Sequence, residues 1–277
     1  MRRSHRLIAP VVVIAALVVV PGLAYAASST ISISGATASF PLVTQLAAKY
    51  TKLKHGSVRF KISQGGATVG IQEAASGKVD IGDSSRPPQP PPKGSDPPGL
   101  LFYPIAKYFV CAVTNPANPI SNLTPAQLLQ IFTGKVRNWS QVSGAKATGQ
   151  INVYTRTSVA GVLTTFQNTL LGGSKVFSVA SQEATEGLMQ NAIKKDPNAI
   201  GFLSDYFALA KGVNAVGYNG VGCTVANVVS NTYPGFSYFY EVTRGKATGA
   251  AQAFINWIQH SSTAKKVIET SWIPLNP

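Results

Sequence analysis

The polarity pattern along the chain alternates between two periods. Short runs rich in β-branched and aromatic residues predict β-strands, and segments with apolar residues at helical spacing lie between them. The predicted strands are Thr30–Ser34, Val58–Ser63, Val79–Gly82, Lys107–Thr114, Ile151–Arg156, Ala199–Leu203 and Phe236–Val242. This alternation predicts an α/β fold with mixed or mostly parallel sheets.

Four of the intervening segments carry an apolar stripe that a helix would turn toward the core. One begins at Phe40, and one follows Thr124-Pro125, which is an N-cap with proline at the first helical position. Another carries Val162 to Leu170, and the last carries Ala251 to Ile258 and is expected to run on to Val267.

The N-terminal pattern differs from the rest of the chain. Arg2, Arg3 and Arg6 precede an apolar stretch from Leu7 to Leu23, and Ala24-Tyr25-Ala26 forms a small-x-small cleavage site. We interpret residues 1–26 as a secretory signal peptide, the alternative being a membrane anchor of the same length. No cysteine stands at the cleavage site, so we expect a periplasmic or extracellular protein without a lipid anchor.

The charge balance narrows the class of partner. The 277 residues contain 24 Lys+Arg and 10 Asp+Glu, giving a formal net charge of +14 that arises from scarce acids rather than abundant bases. No basic run longer than two residues occurs after the signal peptide. A nucleic-acid binder would gather its bases in a stripe, so we expect an anionic partner but no nucleic acid.

Two further features leave alternatives open. Cys111 and Cys223 are the only cysteines, and in an exported protein they predict either a disulfide or a buried Cys111 with one free thiol. The stretch from Arg86 to Gly99 contains seven prolines, which exclude a helix or a central strand. We interpret it as a stiff surface connector, with a docking role as the alternative.

The chemical inventory does not suggest an enzyme. After the signal peptide only His55 and His260 remain, and the chain has no His-Glu-x-x-His, Cys-x-x-Cys or Gly-x-Ser-x-Gly motif. We therefore expect no catalytic residues, no metal site and no cofactor.

Small-polar and glycine-rich turns between strands and helices are the chemical feature that remains. Four of them stand out, at residues 34–41, 64–70, 80–86 and 156–161. A helix N-terminus offers free N–H groups and a positive dipole end, and glycine lets an anion approach them closely. Arg156 adds a planar guanidinium suited to oxyanions. Together these turns predict a shared anion site.

These turns carry a family resemblance. Ser34-Gly35-Ala36 with Ser39-Phe40-Pro41, Gly65-Gly66 with Gly70-Ile71, and Ser84-Ser85-Arg86-Pro87 occur in order, followed by Ile131-Phe132-Thr133-Gly134-Lys135 and Asn138-Trp139. The sequence resembles the PstS-like phosphate-binding proteins of ABC transporters, which are type II periplasmic solute-binding proteins, over nearly all of the chain after the signal peptide.

The resemblance implies a two-lobe periplasmic-binding-protein fold, in which each lobe is a mixed sheet flanked by helices and a hinge joins the lobes. Lobe I would comprise residues 27–113 and the return segment 238–277, and lobe II residues 114–237. The protein would be a monomer that captures inorganic phosphate or a related oxyanion and delivers it to an ABC transporter permease. The implied binding residues are Ser39, Phe40, Ala67, Thr68, Ser84, Ser85, Arg156, Ser158, Ala160 and Gly161.

The sequence departs from the family pattern at hydroxyl positions. Ala67 and Ala160 stand where a binding serine is usual, and Val162 stands where a threonine is usual. Ser85 takes a place where some members carry an aspartate that accepts the phosphate proton. Each charge-assisted hydrogen bond is worth roughly 1.5–3 kcal/mol, so these losses would weaken binding. The alternative function is a solute-binding fold with a degenerate anion site, acting as a surface or interaction protein.

Overall fold

A computed structural model describes residues 28–276 of the chain. The predicted signal peptide, residues 1–26, lies outside the described residues. Among the helices of residues 28–276, none combines the length and the apolar character that a bilayer crossing requires.

The described residues form ten strands. They are β1 (Ser29–Gly35), β2 (Val58–Gln64), β3 (Ile81–Ser84), β4 (Leu100–Thr114), β5 (Asn122–Leu123), β6 (Asn152–Arg156), β7 (Ser181–Glu183), β8 (Ala199–Ser204), β9 (Asn214–Tyr218) and β10 (Phe236–Arg244).

All seven predicted strands are present, and the first residues of two of them differ from the prediction by more than one position. β3 begins two residues later than predicted, and β4 begins at Leu100 rather than Lys107. Pro104 interrupts the apolar pattern of β4, and the structure accommodates it where the pairing with β10 changes register, next to Tyr240.

Nine α-helices accompany the strands in the described part of the chain. They are α1 (Phe40–Leu53), α2 (Ala67–Ser76), α3 (Pro125–Phe132), α4 (Gly161–Leu170), α5 (Glu186–Lys195), α6 (Asp205–Ala208), α7 (Val225–Val229), α8 (Gly249–His260) and α9 (Ser262–Ile268). The prediction of one C-terminal helix reaching Val267 is wrong, because Ser261 is extended. Its hydroxyl accepts a bond from the Thr263 N–H and starts α9.

The strands follow the order β2-β1-β3-β10-β4-β8-β6-β7, with β9 against β4 and β5 against β9. β1, β2 and β3 pair in parallel, as do β6, β7 and β8, whereas β10 is antiparallel to both of its neighbours. The early part of β4, up to Phe109, pairs with β10, and Val110–Thr114 pair with β8. This long strand therefore runs through both lobes, which confirms the two-lobe α/β fold with mixed sheets.

We name the lobes by their strands. Lobe I is built on β1, β2, β3, β10 and the early part of β4, and lobe II on the end of β4 with β5 to β9. An aromatic cluster fills part of each core: Tyr50, Phe60, Phe254 and Trp257 in lobe I, and Phe132, Phe166 and Phe202 in lobe II. Helix α1 contacts β2 and α9, and α2 contacts β1 and β3, so both helices belong to lobe I.

The two cysteines form a disulfide, which decides between the alternatives. Cys111 on β4 bonds to Cys223, and their Cα atoms lie 5.8 Å apart. The disulfide links β4, the strand shared by both lobes, to the segment just before α7.

The proline-rich segment between β3 and β4 contains neither helix nor strand, as predicted. Its two ends are joined by a bidentate ion pair in which Arg86 donates to both carboxylate oxygens of Asp96, at 3.1 and 2.6 Å. Both side chains are buried, whereas most of the prolines between them are exposed. The Gln89 N–H also donates to Asp96, at 2.6 Å.

Candidate functional site

Three helices begin beside one another, and none has a side-chain cap. The residues before them are Ser39 for α1, Gly66 for α2 and Ala160 for α4. By contrast, side chains of Thr124, Thr185, Thr224 and Ser261 cap α3, α5, α7 and α9, while α6 and α8 are also uncapped. The first N–H groups of a helix lack partners within it, so at an uncapped end they are left to other acceptors, either a carbonyl or an anion.

The two lobes approach each other closely at these helix ends. The Thr68 N–H of lobe I donates to the Val159 carbonyl of lobe II at 3.0 Å. A Cβ atom added at Gly161 would lie 2.6 Å from the Ser85 hydroxyl oxygen and 2.9 Å from the Ala67 Cβ. Only glycine fits at position 161, because the N-terminus of α4 packs directly against lobe I.

Arg156 lies at the end of β6 and is buried at the junction of the lobes. Its Nε donates to the Glu183 carbonyl at 3.0 Å, and its Nη2 donates to the Ala184 carbonyl and to the Thr37 hydroxyl, both at 2.9 Å. Among the described residues, its Nη1 has no hydrogen-bond partner. A buried charged donor without a partner is costly, so this nitrogen is the natural contact for an anion.

A buried carboxylate lies near this arginine. Glu186 is fully buried near Arg156, and its carboxylate accepts bonds from the N–H and hydroxyl of Ser204. Burial raises the pKa of Glu186, and the charge of Arg156 opposes that rise. Burial in turn lowers the pKa of Arg156.

The structure brings most of the predicted site residues together around these groups. Ser39, Ala67, Ser84, Ser85 and Ala160 are buried, as is Gly161, while Phe40 and Thr68 are half-buried. The Ser85 hydroxyl faces the backbone of Gly161 across the lobe junction.

Three predicted hydroxyls are placed less favourably for a ligand. Ser158 is exposed and stands apart from the buried group. The Ser84 hydroxyl donates to the Arg86 carbonyl at 2.8 Å, and the Ser39 hydroxyl donates to the Ala36 carbonyl at 3.2 Å. Of these, Ser84 also accepts from the Arg86 N–H, so its hydroxyl is fully engaged.

Three residues of this region are not among the implied binding residues. Thr37 binds Arg156 from the other lobe, and Asp83 and Glu241 lie opposite each other on β3 and β10. Burial raises the pKa of Asp83 to about 7, and burial together with Asp83 raises that of Glu241. In a chain with ten acids, a glutamate between Tyr240 and Val242 of a predicted strand was a usable signal.

Within residues 28–276, no group of three or more His, Cys, Asp or Glu side chains is placed to hold a metal ion. The site offers hydrogen-bond donors: one guanidinium nitrogen, helix N–H groups and the Ser85 hydroxyl.

Comparison with known proteins identifies the superfamily. The family model of the PBP superfamily domain matches residues 24–262. The chain belongs to the PBP superfamily. One curated relative of this PBP-superfamily chain is the phosphate-binding protein PstS of Bacillus subtilis, which is 27% identical over 250 residues, covering 90% of this chain and 82% of the relative.

Solved structures give the same assignment. A putative phosphate ABC transporter substrate-binding protein from Clostridium perfringens, determined with bound phosphate, is 27% identical with a TM-score of 0.82, covering 89% of this chain and all of that one. An ABC-type phosphate transport receptor from Vibrio cholerae is 28% identical with a TM-score of 0.70, covering 88% of this chain and 99% of that one.

Proposed function

We propose that this PBP-superfamily protein captures phosphate or a related oxyanion and presents it to an ABC transporter. The observation that carries the proposal is the buried Arg156 Nη1, which lacks a partner where three uncapped helices begin. The names of the Bacillus, Clostridium and Vibrio proteins support the choice of phosphate. The protein acts by binding, with no catalytic residue, cofactor or metal.

The candidate binding residues come from both lobes, and this arrangement suggests how the anion is captured. Ser39, Ala67 and Ser85 belong to lobe I, and Arg156 and Gly161 to lobe II. Separation of the lobes would admit the anion, and closure would desolvate it among the N–H donors, as in hinge-bending binding proteins. We propose residues 27–113 and 238–277 as lobe I and 114–237 as lobe II; the change of partner along β4, between Phe109 and Val110, lies four residues before the first of these boundaries.

The proposed export completes this scheme. Residues 1–26 would direct the chain out of the cytoplasm and be removed there. The protein would then work as a monomer in the periplasm or outside the cell, without a lipid anchor, and pass its ligand to a membrane permease.

One observation favours the alternative, a non-transport interaction protein. The three positions at which family members carry hydroxyls hold Ala67, Ala160 and Val162, and all three side chains are buried at or beside the lobe junction. Methyl groups there cannot replace the lost donors. Under this alternative the lobes close on each other and bind no oxyanion.

Isothermal titration of the purified chain with phosphate separates the two functions. Removing the guanidinium in Arg156→Ala should weaken phosphate binding at least about tenfold, because a charge-assisted bond is lost. The matched control is Arg59→Ala, an exposed arginine on β2, which should bind like the unmodified chain. Absence of heat with phosphate, sulfate and arsenate would favour the interaction protein.

Selectivity is a second test of the same site. Phosphate carries a proton that needs an acceptor, whereas sulfate does not. With Ser85 at the position of the proton-accepting aspartate, sulfate should compete with phosphate about equally, and Ser85→Asp should shift the preference toward phosphate. A strong phosphate preference in the unmodified chain would instead point to Asp83 as the acceptor.

A further inference from the structure

Two hydroxyl groups meet the backbone of Ser85 at the lobe junction. The Ser85 carbonyl accepts a hydrogen bond from the Tyr108 hydroxyl and another from the Thr165 hydroxyl, the latter at 3.3 Å. The two hydroxyl oxygens are 2.9 Å apart. All three residues are buried, with no more than 3% of each exposed. Neither Tyr108 nor Thr165 is among the candidate binding residues described above.

The three residues come from both lobes. Tyr108 lies on the part of β4 that pairs with β10, just before β4 changes its partner to β8. Its ring stacks on Phe239 of β10, with ring centroids 4.2 Å apart and planes 4° from parallel. Tyr108 and Ser85 therefore belong to lobe I, whereas Thr165 on α4 belongs to lobe II. The bond from Thr165 to Ser85 crosses the lobe junction, and the bond from Tyr108 does not.

One face of α4 packs on Ser85. Gly161 and Thr165 are four residues apart, about one helical turn, so they lie on the same face of α4. A Cβ atom added at Gly161 would lie 2.6 Å from the Ser85 hydroxyl oxygen and 2.9 Å from the Ser85 carbonyl carbon. The Thr165 hydroxyl reaches the carbonyl oxygen of the same residue one turn further along. The N-terminus of α4 is thus held against lobe I through Ser85 at two points.

We propose that Tyr108 and Thr165 are positioning residues of the oxyanion site, which act on the ligand only through Ser85. Tyr108 holds the Ser85 backbone in place whether the lobes are open or closed, because both residues belong to lobe I. Thr165 bonds to Ser85 only when the lobes are closed. An interaction made in one state alone favours that state, so Thr165 prolongs closure. This inference rests on the proposed oxyanion capture and adds what determines how long a captured anion is held.

Another contact between the lobes can report their separation. The Thr68 N–H donates to the Val159 carbonyl across the junction. Thr68 is the second residue of α2, so its N–H has no acceptor within that helix. When the lobes separate, this N–H is exposed to solvent and exchanges its hydrogen. The exchange rate of the Thr68 N–H, measured by NMR on the chain without phosphate, therefore reports lobe separation.

The main variant is Thr165→Val, which removes the hydroxyl and keeps the shape of the side chain. Loss of a neutral hydrogen bond changes an equilibrium about fivefold, so exchange of the Thr68 N–H and release of phosphate should each become about fivefold faster. Release is followed by stopped flow with a fluorescent phosphate trap. Thr165→Ser keeps the hydroxyl and should restore both rates, which a role limited to side-chain packing would not produce.

Thr169→Val is the matched control, one turn further along α4. The Thr169 hydroxyl donates to the Thr165 carbonyl at 2.7 Å, so this variant loses a hydrogen bond within the helix and none between the lobes. Exchange of the Thr68 N–H and phosphate release should therefore remain those of the unmodified chain. Equal exchange rates in Thr165→Val and Thr169→Val would overturn the role of Thr165.

Tyr108→Phe tests the other hydroxyl. This variant keeps the ring that stacks on Phe239 and removes the donor to Ser85. Phosphate affinity, measured by calorimetry, should fall about fivefold, while exchange of the Thr68 N–H changes less than about twofold because the Thr165 bond remains. Unchanged affinity would overturn the role of Tyr108.

The exchange measurement separates this proposal from the proposed function. If the chain bound no phosphate, sulfate or arsenate, oxyanion capture and the role of Tyr108 would both fail. The exchange rates of the Thr68 N–H in Thr165→Val and Thr169→Val would still decide whether Thr165 holds the lobes together. Native near-ultraviolet circular dichroism of each variant confirms that it folds.

Discussion

Asp83 on β3 and Glu241 on β10 occupy paired positions in the antiparallel register, and both side chains are buried. Oδ1 of Asp83 and both carboxylate oxygens of Glu241 lack a hydrogen-bonding N–H or O–H group among the described residues. Two facing carboxylates cannot both ionise in a dry interior, so the pair holds a proton near neutral pH. Asp83 directly precedes Ser84 and Ser85 in the sequence.

The first prediction concerns stability and pH. Burial raises the pKa of Asp83 to about 7 and also raises those of Glu241, Glu186 and Asp205. In the unfolded chain these carboxyls titrate near pH 4, so between about pH 4 and 7 the folded chain binds more protons. The free energy of unfolding, measured with urea, should therefore rise as the pH falls from 7 to 5, by roughly 1 kcal/mol per pH unit for each extra proton.

Single substitutions of Asp83 and Glu241 measure how much this pair contributes to the pH dependence of the free energy of unfolding. Asp83→Asn removes the shared proton while keeping the shape of the side chain, so stability should change less between pH 7 and 5. Glu241→Gln should have a similar effect, because either carboxyl alone loses its charged neighbour. A slope that neither variant alters would show that the pair does not control the pH dependence.

A second prediction tests the contact between lobes at Gly161. Gly161→Ala places a Cβ within 2.6 Å of the Ser85 hydroxyl oxygen, which should keep the lobes from closing fully. Phosphate affinity should fall at least about tenfold, as judged by calorimetry, while the variant still folds. Gly187→Ala is the control, since its added Cβ meets nothing closer than 4.0 Å. Equal affinities of the two variants would contradict the assigned role of Gly161.

A third prediction restores lost donors. Ala160→Ser together with Val162→Thr places hydroxyls at the N-terminus of α4, where a bound oxyanion would accept from them. Each new charge-assisted bond is worth roughly 1.5–3 kcal/mol, so phosphate affinity should rise tenfold or more. Removing the exposed hydroxyl in Ser158→Ala should change affinity less than twofold. No gain from the restored hydroxyls would place the anion away from α4.

A fourth prediction concerns the disulfide. Cys111 and Cys223 are 112 residues apart in sequence, so their bond greatly restricts the unfolded chain. Replacing both with alanine should lower the free energy of unfolding by about 4 kcal/mol. Reduction of the unmodified chain with dithiothreitol should have a comparable effect, and the double variant should not respond to dithiothreitol at all.

Local pattern was sufficient to predict much of the fold and the positions of several candidate site residues at the ends of strands and helices. Arg156 and Ser85 lie where strands end, and Ala67 and Gly161 lie where helices begin. The glycine-rich and small-polar turns in the sequence indicate both kinds of position. Three strands were missed. β5 and β7 are runs of two and three residues, which carry no period, and β9, of sequence Asn-Ala-Val-Gly-Tyr, contains only one β-branched residue.

The local sequence pattern could not predict contacts between segments that are distant in the sequence. Thr37 and Arg156 are 119 residues apart, and only the packing of one lobe against the other brings their side chains together. The same holds for Asp83 and Glu241, which meet because β10 returns beside β3. Whether Ser158 points to solvent or to a ligand is set by the turn geometry, which the residue types leave open.

The ion pair between Arg86 and Asp96 gives the proline-rich segment a fixed base one residue beyond Ser85. A chain that is clamped at its base does not transmit strain from its tip, so the segment between the two charges is mechanically isolated from the strand that carries Ser85. Its exposed prolines can therefore vary in number and identity between homologous proteins, or be bent by a neighbouring molecule, while the oxyanion group keeps its geometry.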